Sequence, residues 1–252
     1  MKIEGFELQP TLPLERISRR RQLLCDLQTG GDLHVSTHTM ADFQRYREQA
    51  YAMLQQGAGE WLDLNREPAA IRDRYGRTMI GQSLLMARRL IEAGVSLVQV
   101  HWANPDKAKP NGGGWDTHEK HSESLKGWLM PVLDQVYSAV LEDLSQRGML
   151  EETLVCLISE FGHTPKINAK AGRDHWGRVF SIALAGGGIR GGVVHGSTDR
   201  NAGEPLTDPV RPADYLATVY HCLGYDPDTL VYDVENRPIP ISSGRVISDV
   251  LA

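Results

Sequence analysis

Apolar residues spaced three and four apart, Leu125, Trp128, Leu129, Val132, Leu133, Val136, Tyr137, Val140, Leu141 and Leu144, demand one long amphipathic helix in mid-chain. Gly148 ends it, and the nearly all-apolar run Thr153 to Ile158 that follows has the length of a buried strand. Upstream, about Met79 to Ala93 predicts a helix with Ile80, Leu84, Ala87 and Ile91 on one side, stopped by Gly94. The valine-rich Val95 to Trp102 then reads as a parallel strand entered from that helix. A strand, a long helix and a strand predict a right-handed crossover, so the fold class is α/β: a mostly parallel sheet flanked by helices.

The flanks complete that expectation. Leu14, Ile17, Leu23, Leu24 and Leu27 mark a short amphipathic helix ending at Gly30-Gly31, and Phe43, Tyr46, Ala50, Met53 and Leu54 mark a second. Both read as a helical amino-terminal segment, so residues 1–252 are expected to form one α/β domain, with 1–77 a helical cap or insertion and 78–252 the sheet core. Val179 to Ala185 and Gly192 to His195 read as further strands, and about Pro212 to Leu223 as a helix with Tyr215, Leu216, Val219 and Tyr220 on its apolar face. The tail from Pro238-Ile239-Pro240 to Leu251 is proline-punctuated and ends in a short apolar segment expected to dock.

Charge and cysteine usage exclude several functions. A net charge of -5 offers no broad attraction to nucleic acid or an anionic membrane. Arg19-Arg20-Arg21, the dense basic run, lies in a predicted helix and reads as a solvated face. Three cysteines, Cys25, Cys156 and Cys222, far apart and odd in number, argue against a disulfide framework. No apolar stretch approaches the length of a membrane span, and Met1 to Pro13 has no signal core.

Three glycine-flanked segments carry the chemistry: Gly112-Gly113-Gly114-Trp115-Asp116-Thr117-His118, Ser159-Glu160-Phe161-Gly162-His163, and Gly172-Arg173-Asp174-His175-Trp176. Carboxylates and imidazoles on loops at strand ends suit a divalent metal, zinc, manganese, magnesium or calcium. Asp116 and His118, two residues apart, point to one side of an extended segment and can share an ion, with His121 a further candidate. Helix capping by Asp116 and a surface His118 is the competing role. Glu160 follows an apolar strand, so its carboxylate is either a ligand or the ion-pair partner of Arg173 or Lys166. His163 has a weaker case. Asp174 and His175 are adjacent and face opposite ways on a strand, which ranks His175 ahead of Asp174 as a ligand. Arg173 has the planar fork that holds two oxygens of an oxyanion. The triple glycines match no nucleotide-binding spacing, and no Gly-x-Ser-x-Gly elbow supports a serine nucleophile.

The run from Gly113-Gly114-Trp115-Asp116-Thr117-His118 to Glu160-Phe161-Gly162-His163-Thr164-Pro165-Lys166 closely resembles the domain-of-unknown-function family 1501. Gly172-Arg173-Asp174-His175-Trp176, Leu184-Ala185-Gly186-Gly187-Gly188, Pro212-Ala213-Asp214 and Arg237-Pro238 extend the likeness over about the last three fifths of the chain. That family is related to the alkaline phosphatase and sulfatase superfamily. The resemblance implies an alkaline phosphatase-like fold and a hydrolase of phosphate or sulfate esters, of small molecules or glycans, using divalent metal. It also implies Asp116, His118, Glu160 and His175 as ligands, with His163, Asp174 and His121 secondary, Arg173 on the substrate oxyanion, and an extracytoplasmic location. Glu160-Phe161 stands where the superfamily has aspartate and histidine, and nothing in Met1 to Arg77 resembles the first strand and nucleophile segment. The chain is therefore expected to be the carboxyl-terminal part of a larger protein with its nucleophile unassigned. The alternative is a non-catalytic binding or scaffold protein whose polar cluster is held by internal salt bridges.

Overall fold

A computed structural model describes residues 13–29, 37–55, 57–102, 106 and 108–252. These fall into two compact units, one bounded by Met1–Asp73 with Arg77–Val100, the other by Arg74–Gly76 with His101–Ala252.

The first unit is helical: α1 (Leu14–Thr29), α2 (Thr37–Gln55), α3 (Ala58–Trp61), the start of α4 (Ala69–Arg74) and α5 (Met79–Glu92). Thr78 caps α5, its hydroxyl accepting from the Gly81 N–H at 3.1 Å. The buried stripe of α5 is Ile80, Gly81, Leu85 and Arg88, rather than the expected Ile80, Leu84, Ala87 and Ile91. Ion pairing causes the rotation. Arg88 is 2% exposed, and its guanidinium pairs with Glu67 at 2.7 Å and Glu92 at 2.6 Å, while Arg89 reaches the other Glu67 oxygen at 2.5 Å. Burial raises the Glu67 carboxyl, but hydrogen bonds from Arg89 and Arg88 outweigh it and hold it below the usual carboxylate range. The apolar faces expected on α1 and α2 are not closed: Leu23, Phe43 and Tyr46 are exposed. Leu27 and Leu54 lie outside the described side chains, as do residues Gly30-Gly31.

In the second unit α6 (His121–Ser124), a π-helical turn (Leu125–Leu129) and α7 (Met130–Gln146) run on without a break. Pro131 has no N–H for the Gly127 carbonyl and its ring crowds that oxygen, and the wide turn ahead of it gives the room. Leu129, Val136, Ala139, Val140 and Leu144 form the buried seam. Tyr75, also fully buried, donates its hydroxyl to Asp143 at 2.9 Å. α8 (Pro212–Cys222) buries Ala217 and Thr218. The tail docks as expected: Leu251 bridges to Ile189, and the Ala252 N–H donates to the Gly188 carbonyl at 2.9 Å.

The mostly parallel, alkaline phosphatase-like sheet does not form. Among the described residues the strands make two-stranded antiparallel pairs: β1 (Val155–Leu157) with β4 (Ala183–Ala185), β2 (Gly162–His163) with β3 (His175–Trp176), β5 (Ser197–Thr198) with β6 (Pro205–Thr207), and β7 (Leu230–Tyr232) with β8 (Pro238–Pro240). A parallel return needs a crossover, usually a helix, and residues 158–182 between β1 and β4 contain none. Val155 therefore faces Ala185 and Leu157 faces Ala183 in an antiparallel register. Val95 to Trp102 is not a strand, because no described segment pairs with it, and Leu97 is 80% exposed. The Gly192 to His195 strand is likewise absent, with Val194 92% exposed, and the strand there begins at Ser197. No helix among the described residues is long and apolar enough to cross a membrane.

Candidate metal centre

Two backbone segments are stitched side by side to make the site. Glu119 and Ala171 form an antiparallel bridge, the Lys120 and His121 N–H groups donate to the Lys170 and Ala171 carbonyls at 3.1 and 2.9 Å, and the Arg173 N–H donates to the Thr117 carbonyl at 3.1 Å. The approach is so close that a Cβ on Gly172 would lie 1.9 Å from the His118 carbonyl oxygen, so only glycine fits there. Asn111 holds the first segment, donating from Nδ2 to the Glu119 carbonyl at 2.8 Å and accepting the Glu119 N–H at 3.2 Å. These loops, rather than the carboxyl ends of parallel strands, carry the site.

β3 supplies the third side chain. His163 on β2 pairs in register with His175 on β3, and a Cβ on Gly162 would meet the Val179 carbonyl oxygen at 2.2 Å. Phe161 lies against the His175 ring, centroids 4.1 Å apart, and so fixes the plane of that imidazole.

Asp116, His118 and His175 are thereby brought together. Asp116 Oδ1 lies 2.9 Å from His118 Nε2 and 2.8 Å from His175 Nε2, and the two Nε2 atoms are 3.1 Å apart. Asp116 and His175 are exposed and His118 is half-buried, so the three atoms are open to an incoming ion. Three atoms at this spacing match ligands about 2.1 Å from one ion with bond angles near about 90°.

His118 Nδ1 lies 3.1 Å from Asp174 Oδ1, and an ionised carboxylate only accepts, so Nδ1 carries a proton. Where Nε2 carries none, its lone pair faces the Asp116 oxygen and His175 Nε2, and either a proton on His175 Nε2 or a cation can stand among the three atoms. Two imidazoles and one carboxylate are donors of the kind a divalent ion accepts.

Asp174 lies outside the three-atom group and accepts from His118 on the far side of its ring. Asn168 Nδ2 donates both to the His118 carbonyl at 3.0 Å and to Asp174 Oδ1 at 3.2 Å, while Asn168 Oδ1 accepts the Gly172 and Lys170 N–H groups at 2.9 and 3.0 Å. The hydrogen bond from His118, then that from Asn168, holds the Asp174 carboxyl below its ordinary range. Asn168 carries no ligand signature in the sequence; the turn pattern from Asn168 to Gly172 is the signal that marks it.

The remaining candidates lie elsewhere. Glu160 is exposed and outside the converging group, and forms no ion pair with Arg173 among the described residues. His121 shares a 2.6 Å hydrogen bond between Nδ1 and the buried Thr117 hydroxyl, and its ring centroid is 5.3 Å from that of His163. His163 Nε2 and Arg173 Nε are buried without hydrogen-bond partners.

The family model described as protein of unknown function, DUF1501, matches residues 2–251, and the chain belongs to that family. No curated protein and no solved structure matches the chain.

Proposed function

We propose that this member of the family binds one divalent ion on Asp116, His118 and His175 and uses it to hydrolyse phosphate or sulfate esters. The observation that carries the reading is the triangle of Asp116 Oδ1, His118 Nε2 and His175 Nε2, with edges of 2.8, 2.9 and 3.1 Å. When bound, the ion supplies Lewis acidity and lowers the pKa of a bound water. The chain's own residues do the rest. Asp174 holds the His118 tautomer with its lone pair directed at the ion, Phe161 holds the His175 ring, and Asn168 ties Asp174 to the backbone that carries His118. Arg173, on the same loop as His175, supplies the contact to the ester's oxyanion.

The test is metal content by mass spectrometry on protein purified without chelator, with Asp116→Ala and Glu160→Ala alongside. Near-stoichiometric divalent metal is expected in the wild type and in Glu160→Ala, and loss in Asp116→Ala. Absence of metal in the wild type, with no thermal stabilisation when zinc, manganese, magnesium or calcium is added, rules the reading out. A panel of aryl phosphates and sulfates then separates a hydrolase, whose turnover chelator abolishes and metal restores, from a binding protein that takes up metal without turnover.

A further inference from the structure

An isolated two-stranded hairpin is marginal in water, and β7 with β8 is such a hairpin, its apolar Leu230, Val231, Tyr232 and Ile239 all exposed. Its two outer edges differ. The Ile241 N–H donates to the Thr229 carbonyl at 3.0 Å and the Asp233 N–H to the Arg237 carbonyl at 3.2 Å, which marks the bonded pairs at either end of the ladder. Bonded and non-bonded pairs alternate along an antiparallel ladder, so Val231 and Ile239 bond inward while Leu230, Tyr232, Pro238 and Pro240 turn their backbone groups outward. On β8 the outward residues are prolines, which have no N–H, and that edge is closed. On β7 they are Leu230 and Tyr232, whose outward N–H and carbonyl groups meet no backbone partner among the described residues. β7 also lacks the devices that blunt a free edge. It has no proline, no lysine and no bulge, whereas β5 is broken by a register shift at Ser197/Thr198.

We infer that β7 is a self-complementary edge on which a second copy of this chain pairs its own β7 antiparallel, joining the two hairpins into one four-stranded sheet, β8-β7-β7-β8. Two outward residues spaced two apart suit a two-fold axis through Val231. Leu230 then faces the partner's Tyr232, each donates its N–H to the other's carbonyl, and the axis repeats the exchange, so all four outward N–H groups are satisfied. Val231 meets the partner's Val231 on the axis, and with Ile239 of each copy they line one face as a stripe of β-branched side chains. Charge agrees with this register. The acids flanking β7 fall opposite uncharged residues: Asp233 opposite the partner's Thr229, Asp228 opposite the partner's Val234, and Glu235 opposite the partner's Pro227. Growth stops at four strands, because the outer edges of the joined sheet are the proline-closed β8 strands. The exposed apolar side chains of the hairpin offer roughly 500 Å² per copy, less than the ~800 Å² of a standard interface, so the dimer belongs to the weak class. The pairing is independent of the metal reading, since no residue from 229 to 241 belongs to the ion's ligand group.

The experiment is sedimentation velocity on the whole chain between about 1 µM and about 1 mM, with backbone hydrogen exchange followed at low and high concentration. The weight-average mass of the wild type should climb toward that of two chains, and the Leu230 and Tyr232 amides should gain protection as it does. Tyr232→Pro keeps every hydrogen bond within the hairpin and removes one outward donor from each copy, so it should weaken dimerisation at least about tenfold. Val231→Lys sets two like charges face to face on the axis and should weaken it at least about tenfold as well. Val194→Lys, at an exposed apolar residue elsewhere in the second unit, should leave the dimer unchanged. If Tyr232→Pro fails to fold, as circular dichroism would show, Val231→Lys carries the comparison. A wild type that stays monomeric to about 1 mM overturns the inference, as does a dimer whose Leu230 and Tyr232 amides exchange as freely as the monomer's. Protection of those amides already present in the monomer would mean that the edge is covered within one chain, and assembly beyond two copies would mean an open contact; either result overturns it too. Equal weakening by Val194→Lys would place the interface elsewhere.

Discussion

Asp214 and Asp116 are both aspartates of the second unit, on segments rich in charged residues, and their surroundings are opposite. Asp214 is 8% exposed and fully occupied: Oδ2 accepts from the Arg211 N–H at 2.9 Å and Nε at 3.1 Å, while Oδ1 accepts from Arg211 Nη2 at 3.0 Å and the Arg245 N–H at 2.9 Å. It closes the first turn of α8 and ties that helix to the tail. Asp116 is exposed, and its Oδ1 meets two imidazole nitrogens. A carboxylate ringed by N–H donors has no acceptor capacity left to give a ligand, whereas Asp116 Oδ1 lies exposed beside two imidazole nitrogens with which it could hold an ion. The difference separates a structural carboxylate from a candidate ligand.

The sharpest way to break this comparison is to exchange the assays. Asp116→Ala should abolish metal uptake, and with it the stabilisation of about 2.7 kcal/mol that an ion at about 100 times its Kd confers. Asp214→Ala should keep that increment in full, provided it is read by thermal melts with and without metal. Equal loss of the increment in both variants would mean that the Asp116 group is not the site. In the absence of metal the order reverses. Asp214→Ala should lose about 2–3 kcal/mol in urea unfolding, through its charged hydrogen bonds and the helix cap. Asp116→Ala, with no hydrogen-bond donor of its own to leave stranded in the interior, should stay within about 0.5 kcal/mol of wild type. A smaller effect tests the residue behind the site. Asp174→Asn should keep the metal stoichiometry but weaken affinity about 10–100-fold, the usual effect of losing a carboxylate behind a ligating histidine. A drop in stoichiometry instead would make Asp174 a ligand.

The same two aspartates show what a sequence carries. The long helix of the second unit was legible from spacing alone: Leu129, Val136, Val140 and Leu144 stand on the expected stripe and are buried, whereas α8 buries Asp214, Ala217 and Thr218 and leaves the expected Leu216 exposed. Asp116, His118 and His175 were legible as ligand candidates because residue type and a spacing of two restrict which side chains can converge. The sheet was not legible. A valine-rich run such as Val95 to Trp102 meets the composition of a strand, but strand formation depends on a partner's N–H and C=O groups that the run itself does not encode. The α5 stripe failed for a related reason, because apolar periodicity cannot foresee that Glu67 draws Arg88 into the interior. The hydrogen bond from His118 to Asp174 was not legible, because adjacency to His175 says nothing of a partner reached across the Gly172 contact.

Acid titration sharpens the comparison further, with the smallest effect of the set. The Arg211 side chain first, then the Arg245 N–H, hold the Asp214 carboxyl well below the usual carboxylate range, against the opposing pull of burial. The sign follows from proton counting. Unfolded, the group takes up a proton near about pH 3.9; folded, it stays ionised to lower pH, so between those values the unfolded chain binds more protons and stability falls as pH falls. The Asp214 contribution is therefore fully present above the unfolded value and is lost as pH drops through the folded one. Comparing wild type with Asp214→Asn by urea unfolding, the stability gap should be flat near neutrality and narrow by about 1 kcal/mol between about pH 6 and about pH 3. Because this depends on donors already in place, adding metal should leave the narrowing unchanged. A gap that stays flat to about pH 3 would show that the Asp214 cradle is not formed in solution, and the contrast with Asp116 would then lose its structural half.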